Sequence, residues 1–286
     1  MDDMNALIQS VLHPTDFSEG SKVAFHHALG AALVASSELT LLNISADGSA
    51  RWSDFPGVRE TLENWGLLPA GSSRSAVGQL GLDVKKVIGG GRDPVDGVLQ
   101  HLSKRPADLI VLATHQNKGV MKWFGKSVAE PIARRAGEMT LFIPGDNAGF
   151  VAEDGSIALS RILVPIAHTP RAQSALAAAA LFAAGLRQSN GTFTLLHVGE
   201  GSSMPAVDCP DLPGWTWEKE VRSGDVIQTI LDTAESIDAD LIVMATDGRN
   251  GFLDGLRGSH SERVLRHASA PLLTVPAGSY VSDVLG

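Results

Sequence analysis

The sequence predicts an α/β protein made of two similar halves, each with a mostly parallel β-sheet. Short apolar runs alternate with helical stretches along all 286 residues, which is typical of α/β folds. The run ADLIVLAT at 107–114 recurs as ADLIVMAT at 239–246, so the chain contains an internal repeat. The length also fits about two domains of ordinary size. Together these observations predict two α/β domains in tandem.

The first half reads as five strands with helices between them. Strands are predicted where a short apolar run ends at a turn residue, and helices where apolar residues recur every three or four positions. The predicted strands are 10–16, 38–45, 83–90, 107–114 and 139–144, and the predicted helices are 19–35, 58–65, 93–106 and 127–137. The glycines at 89–91 belong to a strand-to-helix turn, in which Asp93 caps the next helix.

The second half repeats this order with a shorter connection after its second strand, 200–214 against 46–82. The stretch at 145–156 is rich in Gly and Asp and has no period, so it marks the boundary between domains at 1–147 and 157–286. The predicted strands are 161–167, 191–199, 218–224, 239–246 and 271–276, and the predicted helices are 171–188, 225–237 and 261–268.

Composition narrows the function classes. A net charge of −9 argues against a nucleic-acid binder, which needs a basic surface. The longest apolar stretch, Ser174–Leu186, is too short to cross a membrane. The acidic start MDDMN is unlike a signal peptide, and the single cysteine, Cys209, fits a reducing compartment. We therefore expect a cytoplasmic protein without membrane or nucleic-acid partners.

A ligand crevice is expected at the carboxyl ends of the first and fourth strands of each half, where open α/β sheets bind their ligands. In the second half, Gly248, Gly251 and Gly258 would let backbone N–H groups approach an anion. Ser259 then opens a helix, whose N-terminus favours negative charge. Thr246 and Arg249 are candidates for further hydrogen bonds to a phosphate.

A structural interpretation of the same turn stays open. Ser259 and Glu262 form an S-x-x-E capping box, which needs no ligand, and Ser127 and Glu130 repeat it in the first half. On this interpretation only the glycines and Arg249 indicate function.

The turn resembles the nucleotide-binding pattern of the universal stress protein family, Gly-x-x-Gly-x9-Gly-Ser/Thr. It stands here as Ala245-x-x-Gly248, nine residues, and Gly258-Ser259. HPTDFS at 13–18 resembles the end of the family's first strand, and PLLTVP at 271–276 resembles its last strand, through which family dimers pair. The resemblance implies a Rossmann-like fold of the adenine nucleotide alpha hydrolase type in each half, with a five-stranded parallel sheet of order 3-2-1-4-5.

The resemblance also implies an ATP, ADP or AMP site in the second half. Ala167 stands where the family has an aspartate on the adenosine side, and Val198 and Met244 match positions that flank adenine. Asp247 suits a phosphate site poorly unless Mg²⁺ bridges, and His168 and His260 are candidate neutral donors. The predicted site comprises Pro165, Ala167, Val198, Met244, Ala245, Thr246, Gly248, Arg249, Gly258, Ser259, His260 and Ser261.

The first half departs from the family pattern at its phosphate turn rather than on its adenosine side. Its phosphate turn has Ala113, Gln116 and Lys126 where glycines belong, while its adenosine side is kept. We therefore expect nucleotide mainly in the second half. A possible second site comprises Pro14, Thr15, Asp16, Ala113, Lys126 and Ser127.

The sequence contains no recognisable catalytic set, such as a nucleophile elbow or a metal triad. We expect a nucleotide-binding stress-response protein that is not an enzyme, with at most very slow ATP hydrolysis. An adenylate-forming ligase would need a His-x-Gly-His or Ser-Gly-Gly loop, which the sequence lacks. The remaining alternative is a scaffold that binds partners without nucleotide. No Cys/His spacing predicts a metal site. The two halves are expected to pair with each other, and a homodimer is also possible.

Overall fold

Ten β-strands form one continuous sheet in the protein. The computed structural model describes residues 8–45, 48–114, 129–145, 149–247 and 260–278. The strands are β1 Ser10–Pro14, β2 Glu38–Ser45, β3 Asp83–Gly90, β4 Leu109–Thr114, β5 Met139–Pro144, β6 Arg161–Pro165, β7 Gly191–Val198, β8 Trp215–Arg222, β9 Leu241–Thr246 and β10 Leu272–Pro276.

Eight α-helices are seen in the described ranges, and they cover both faces of the sheet. They are α1 Glu19–Val34, α2 Val58–Asn64, α3 Arg74–Gln79, α4 Pro94–Lys104, α5 Ala129–Ala136, α6 Gln173–Gly185, α7 Val226–Ser236 and α8 His260–His267. Short 3₁₀ turns lie at Trp52–Asp54 and Gly201–Ser203.

The strand order is β3-β2-β1-β4-β5-β10-β9-β6-β7-β8. Each half therefore has the order 3-2-1-4-5, with all its neighbours parallel, which confirms the predicted fold class. In the second half the same parallel pairing joins β10 to β9, β9 to β6, β6 to β7 and β7 to β8. The two sheets predicted for the two halves form a single ten-stranded sheet.

The junction between the halves is an antiparallel pair of last strands. Leu272 lies opposite Phe142, Leu273 opposite Leu141, and Thr274 opposite Thr140. The Thr274 hydroxyl also donates to the Thr140 carbonyl at 3.3 Å. The pairing leaves β3 and β8 as the two outer strands of the sheet.

Each face of the sheet has its own apolar core. One core contains residues of α1, α2 and α6 from both halves, and the other contains residues of α4, α5, α7 and α8. Helix α6 is buried at every position from Ser174 to Ala183, which explains its near-continuous Ala and Leu sequence. Small side chains allow close packing on all sides of a helix.

Helix starts follow local capping chemistry. The Ser18 side chain accepts from the Ser21 amide at the start of α1. Asp93 caps α4 as predicted, accepting from the Val95 amide at 2.8 Å, and Asp225 caps α7 in the equivalent place. Such caps satisfy amide groups that the first helical turn leaves unpaired.

The linker between the halves is more ordered than its composition indicates. Val151 and Ile157 form an antiparallel bridge, and Phe150 and Val151 are buried. Val151 contacts the position of Gly30 on α1. The stretch predicted to be a connector is thus a small hairpin, the linker hairpin (149–158), packed on the first half.

His27 of α1 holds the start of this hairpin. Its Nδ1–H donates to the Val23 carbonyl at 2.9 Å, so Nε2 is an acceptor. Nε2 accepts from the amides of Phe150 at 3.0 Å and Val151 at 3.1 Å. Burial lowers the pKa of this imidazole to about 4, which favours the neutral form that these contacts require.

Two further contacts tie the linker hairpin to the first half. Lys22 forms an ion pair with Glu153 at 2.8 Å, and the Trp65 indole N–H donates to the Glu153 carbonyl at 3.0 Å. The connection at 46–82 therefore supports the linker through Trp65.

One additional helix and the start of β8 are the main differences from the sequence prediction, and the ends of other elements differ by up to three residues. Helix α3, Arg74–Gln79, lies in the connection after β2, where no helix was predicted at these residues. Strand β8 begins at Trp215, three residues earlier than predicted, because Trp215 and Trp217 both pack on Phe193 of β7. Trp215 and Trp217 thus lie in a strand, and Trp215 is part of the core.

Candidate functional site

The second half places its predicted strand-end residues along one edge of the sheet. Strand β6 lies between β9 and β7, so Pro165, Val198 and Thr246 end three neighbouring parallel strands. We call the space at these strand ends the half-two crevice. Open α/β sheets bind ligands at such an edge, where the strand order reverses.

The exposure of these residues forms a gradient. Met244 is buried, Pro165, Val198, Ala245 and Thr246 are half-buried, and Ala167 is exposed. The methionine thus belongs to the floor, whereas Ala167 stands at the rim. Ala167 forms an isolated bridge with Arg171, so its methyl group occupies a turn rather than the core.

The glycine-rich turn after β9 lies outside the described residues. Gly248, Arg249, Gly258 and Ser259 are therefore known here by sequence only, as is Gly251. The structure resumes at His260, which begins α8, with Ser261 as its second residue. His260 is exposed and Ser261 is half-buried.

The starts of α7 and α8 are electrostatically linked. Asp225 accepts from the backbone amides of Gln228 at 3.0 Å and Ile227 at 3.1 Å. The Gln228 hydrogen bond lowers the pKa of this carboxyl, and the charges of Arg263 and His260 lower it further. The Asp225 carboxylate at the start of α7 therefore interacts with the positive charges of the first turn of α8.

A turn that sequence reasoning did not single out borders the other end of the crevice. The 3₁₀ turn Gly201–Ser203 follows β7. The His168 Nε2–H donates to the Ser203 carbonyl at 3.0 Å. His197 Nε2 lies 3.0 Å from Ser203 Oγ. Two histidines from different strand ends therefore meet at one serine, and neither spacing nor composition could have indicated this.

The rest of the connection at 200–214 is also fixed. The Gln173 side chain donates to the Asp208 carbonyl at 2.7 Å and accepts from the Asp208 amide at 3.1 Å. The Trp217 indole N–H donates to the Pro210 carbonyl at 2.8 Å. The segment is thus held against the start of α6 and against β8. Cys209 within it is exposed.

The first half keeps its polar strand end. Thr15 is buried, and its carbonyl accepts from Asn43 Nδ2 at 2.7 Å. Asp16 Oδ1 accepts from the Ser18 amide at 3.0 Å and the Ser18 hydroxyl at 2.6 Å. Pro14 ends β1, and Ala113 lies in β4 beside it. Gln116, Lys126 and Ser127 lie outside the described residues.

An aromatic cluster distinguishes the first half. Phe17 meets Phe55 edge to face at 5.1 Å, and Phe55 stacks on Trp52 at 6.1 Å. Trp52 is 62% exposed. Trp52 and Phe55 come from the longer connection, so the two halves border their crevices with different segments.

The part of the chain described shows neither a cation site nor a membrane span. No three His, Cys, Asp or Glu side chains come together there in a way that could hold a metal ion. No described helix has the length and apolar character needed to cross a bilayer.

Comparisons with known proteins agree with the fold. A universal stress protein from Archaeoglobus fulgidus DSM 4304 is similar at 20% identity and a TM-score of 0.61, covering 93% of this chain and 95% of its own. A functionally unknown protein from Pseudomonas aeruginosa PAO1 has 14% identity and a TM-score of 0.62, covering 99% and 98%. At these identities the likeness shows the fold alone.

A third solved structure, described as a putative universal stress protein from Pseudomonas aeruginosa UCBPP-PA14, has 14% identity and a TM-score of 0.62, covering 98% of this chain and 97% of its own. No curated protein matches the chain significantly. The family model described as "Universal stress protein family" matches residues 8–144 and 211–276, which is more than half of the chain. The chain therefore belongs to the universal stress protein family.

Proposed function

We propose that this chain is a regulatory protein of the stress response that binds an adenine nucleotide, ATP or its products ADP and AMP, mainly in its second half. The observation that carries the proposal is the pairing of a suitable crevice with a suitable turn. The crevice lies at the ends of β6, β7 and β9. The turn that leaves β9 towards α8 has Gly248 and Gly258 followed by Ser259, where backbone N–H groups can face phosphate.

The first half supports this assignment by contrast. Its sheet has the same order, yet the corresponding turn has Gln116 and Lys126 in place of the two glycines. A lysine side chain there would either take the place of a phosphate itself or accept an anion that is not a nucleotide. We propose that a nucleotide, if bound in the first half, binds far more weakly than in the second.

Base recognition in the second half is expected to be weaker than the family pattern implies. Ala167 cannot accept a hydrogen bond through its side chain, whereas Asp16 of the first half can. A lost hydrogen bond of this kind costs roughly 0.5–3 kcal/mol. If Mg²⁺ accompanies the phosphates, Asp247 is the candidate protein ligand, since it directly follows β9 and is exposed.

We also propose that the protein acts without turnover, with at most very slow ATP hydrolysis, and that its two halves behave as a pseudo-dimer within one chain. The antiparallel β5–β10 pair supports the second point. A homodimer of whole chains is compatible with it, since β3 and β8 remain as outer strands.

The test is native mass spectrometry of the purified full chain, followed by denaturing release of bound small molecules. We expect one adenine nucleotide per chain. Gly258→Lys, which copies the first half, should abolish binding. Gly255→Lys adds the same charge to the same turn outside the family pattern and serves as the matched control.

Two results would contradict the proposal in different ways. Two nucleotides per chain would mean that the first half is a working site. No nucleotide at millimolar ATP, a concentration that detects weak sites, would favour the alternative of a scaffold that binds partners without nucleotide.

A further inference from the structure

The turn Gly201–Ser203, the Ser203 turn, is attached to the crevice by His197 and by His168, which the sequence suggested as a donor to the ligand and which contacts the Ser203 carbonyl instead. His168 follows β6, and His197 lies in β7. Both reach Ser203, which comes 35 residues after His168 and six after His197. His197 is buried, whereas Ser203 is exposed. The Ser203 turn therefore lies at the surface, and the buried His197 side chain contacts it from the protein interior.

The roles of these groups follow from the available protons. The Ser203 hydroxyl lies 2.8 Å from the Glu200 carbonyl and 3.0 Å from His197 Nε2. With His197 neutral, either Nε2–H donates to the hydroxyl, or Nδ1–H donates to the Ile166 carbonyl and Nε2 accepts from the hydroxyl. The Ser203 carbonyl can only accept, so His168 donates to it through Nε2–H. Ser203 is thus hydrogen-bonded to His197 through its side chain and to His168 through its backbone carbonyl.

The position of the turn follows from strand order. The glycine turn leaves β9, the Ser203 turn leaves β7, and β6 lies between these two strands. A ligand with its anionic group at the glycine turn and its body across β6 therefore extends towards the Ser203 turn. The Ser203 turn borders the end of the crevice that lies away from the anion-binding turn.

The equivalent position of the first half provides a comparison for His197. The Leu42 carbonyl accepts from the Thr15 amide, and the Leu196 carbonyl accepts from the Ile166 amide, both at 2.8 Å. Asn43 and His197 therefore occupy equivalent positions. Asn43 contacts the Thr15 carbonyl, and His197 Nδ1 lies 3.5 Å from the equivalent Ile166 carbonyl. Among the described residues, a side-chain hydrogen bond to the following connection is seen for His197 and not for Asn43.

We propose that the Ser203 turn is the specificity-determining wall at the far end of the half-two crevice, and that His168 and His197 are positioning residues that fix it. The proposal rests on the nucleotide site proposed above, and it assigns the base end of that nucleotide to this wall. Fixing the wall restricts which heteroaromatic ring fits, because a rigid border favours one shape over another.

The chemistry of the wall suits a planar polar ring. Gly201, Ser202 and Ser203 have small, polar or absent side chains, and Val198 at the end of β7 supplies an apolar surface beside them. A Cβ at Gly199 would lie 2.9 Å from His197 Nε2. A side chain at position 199 would therefore displace His197 from its contact with Ser203.

The experiment compares the full-length protein with Ser203→Ala, which removes the His197 contact, and His168→Leu, which removes the donor to the Ser203 carbonyl. His168→Gln keeps a side-chain donor and is the conservative variant. Ser202→Ala, in the same turn, is the matched control. Binding of ATP, GTP and inorganic triphosphate is measured by titration calorimetry.

We expect the wild type and Ser202→Ala to prefer ATP over GTP. Ser203→Ala and His168→Leu should reduce that preference by about three- to tenfold, while the affinity for inorganic triphosphate changes less than twofold. His168→Gln should restore most of the preference. A merely structural role would lower the affinity for all three ligands together.

The outcomes separate this proposal from the nucleotide assignment. An unchanged ratio of ATP to GTP affinity in both variants would overturn the wall assignment and leave nucleotide binding intact. A wild type that binds neither ATP nor inorganic triphosphate would overturn both. Equal losses for ATP, GTP and triphosphate would show that the turn supports the fold rather than base choice.

Discussion

At the scale of single residues, the buried histidines define how the protein should respond to acid. His27 must be neutral to accept the amide hydrogen bonds of Phe150 and Val151. His13, in β1, is also buried, and its Nδ1 contacts the Val111 carbonyl at 2.9 Å. Burial lowers the pKa of both imidazoles from 6.5 to about 4. Both imidazoles therefore stay neutral in the folded protein at pH values above about 4.

The sign of the pH dependence follows from these shifts. Between pH 6.5 and 4 the unfolded chain binds protons at these two residues and the folded chain does not. The contribution of these two histidines to the free energy of unfolding is therefore fully present above pH 6.5 and decreases as pH falls towards 4. Each shift corresponds to roughly 3 kcal/mol.

Urea unfolding of the full chain at several pH values tests this expectation. His27→Gln removes one titrating group, so the free energy of unfolding of the variant should decrease less between pH 6.5 and 4 than that of the wild type. His267→Gln, at the exposed end of α8, should keep the wild-type slope. A slope unaffected by His27→Gln would show that His27 does not hold the linker in its neutral form.

At the scale of elements, the linker hairpin depends on one glycine. Gly149 has φ +67°, and a Cβ there would overlap the ring of His27. Gly71 has a similar φ of +76° but open space around its Cβ position. Both glycines have a left-handed backbone conformation, but a Cβ atom would have space at Gly71 and would clash at Gly149.

Gly149→Ala should therefore destabilise the protein more than Gly71→Ala. We expect about 1 kcal/mol for Gly71→Ala, from the left-handed backbone alone, and about 1–3 kcal/mol more for Gly149→Ala, from forced displacement of His27. Thermal and urea unfolding measure both. Equal losses would mean that the hairpin moves away from α1 at little cost.

At the scale of the whole molecule, the β5–β10 pair joins the halves. Leu141 and Leu273 face each other across it, and both are buried. Cross-strand neighbours of this kind couple by roughly 0.5–1 kcal/mol. A double-mutant cycle with Leu141→Ala and Leu273→Ala should reveal that coupling in the free energy of unfolding.

Leu141 and Leu195 provide the control cycle. Leu195 lies in β7, four strands away from β5 in the sheet, so the two substitutions should be additive within about 0.5 kcal/mol. Additivity in both cycles would show that the halves do not pair through their last strands in solution.

Regular elements were predictable because their signal is local. Buried parallel strands such as β4 and β9 are apolar at successive positions, and the repeat displays them twice. Helix α3 gave no such signal, since none of its residues is buried. The start of β8 was missed because it depends on packing of Trp215 and Trp217 against Phe193 of another strand.

The candidate site was predictable only where it follows strand ends. Pro165, Val198 and Thr246 come together because parallel strands share a carboxyl edge. The hydrogen bonds of Ser203 to His168 and His197 depend on how the connection after β7 folds back, which no spacing encodes. His27 is a similar case, because its partners lie more than 120 positions away.

The antiparallel junction sets the direction in which each crevice opens. Strands β5 and β10 run in opposite senses, so the carboxyl ends of the first half and those of the second half point to opposite edges of the sheet. Two ligands bound at these edges would lie on opposite sides of the sheet. The chain therefore has the geometry of a two-ended connector, in which occupation of one end leaves the other end free.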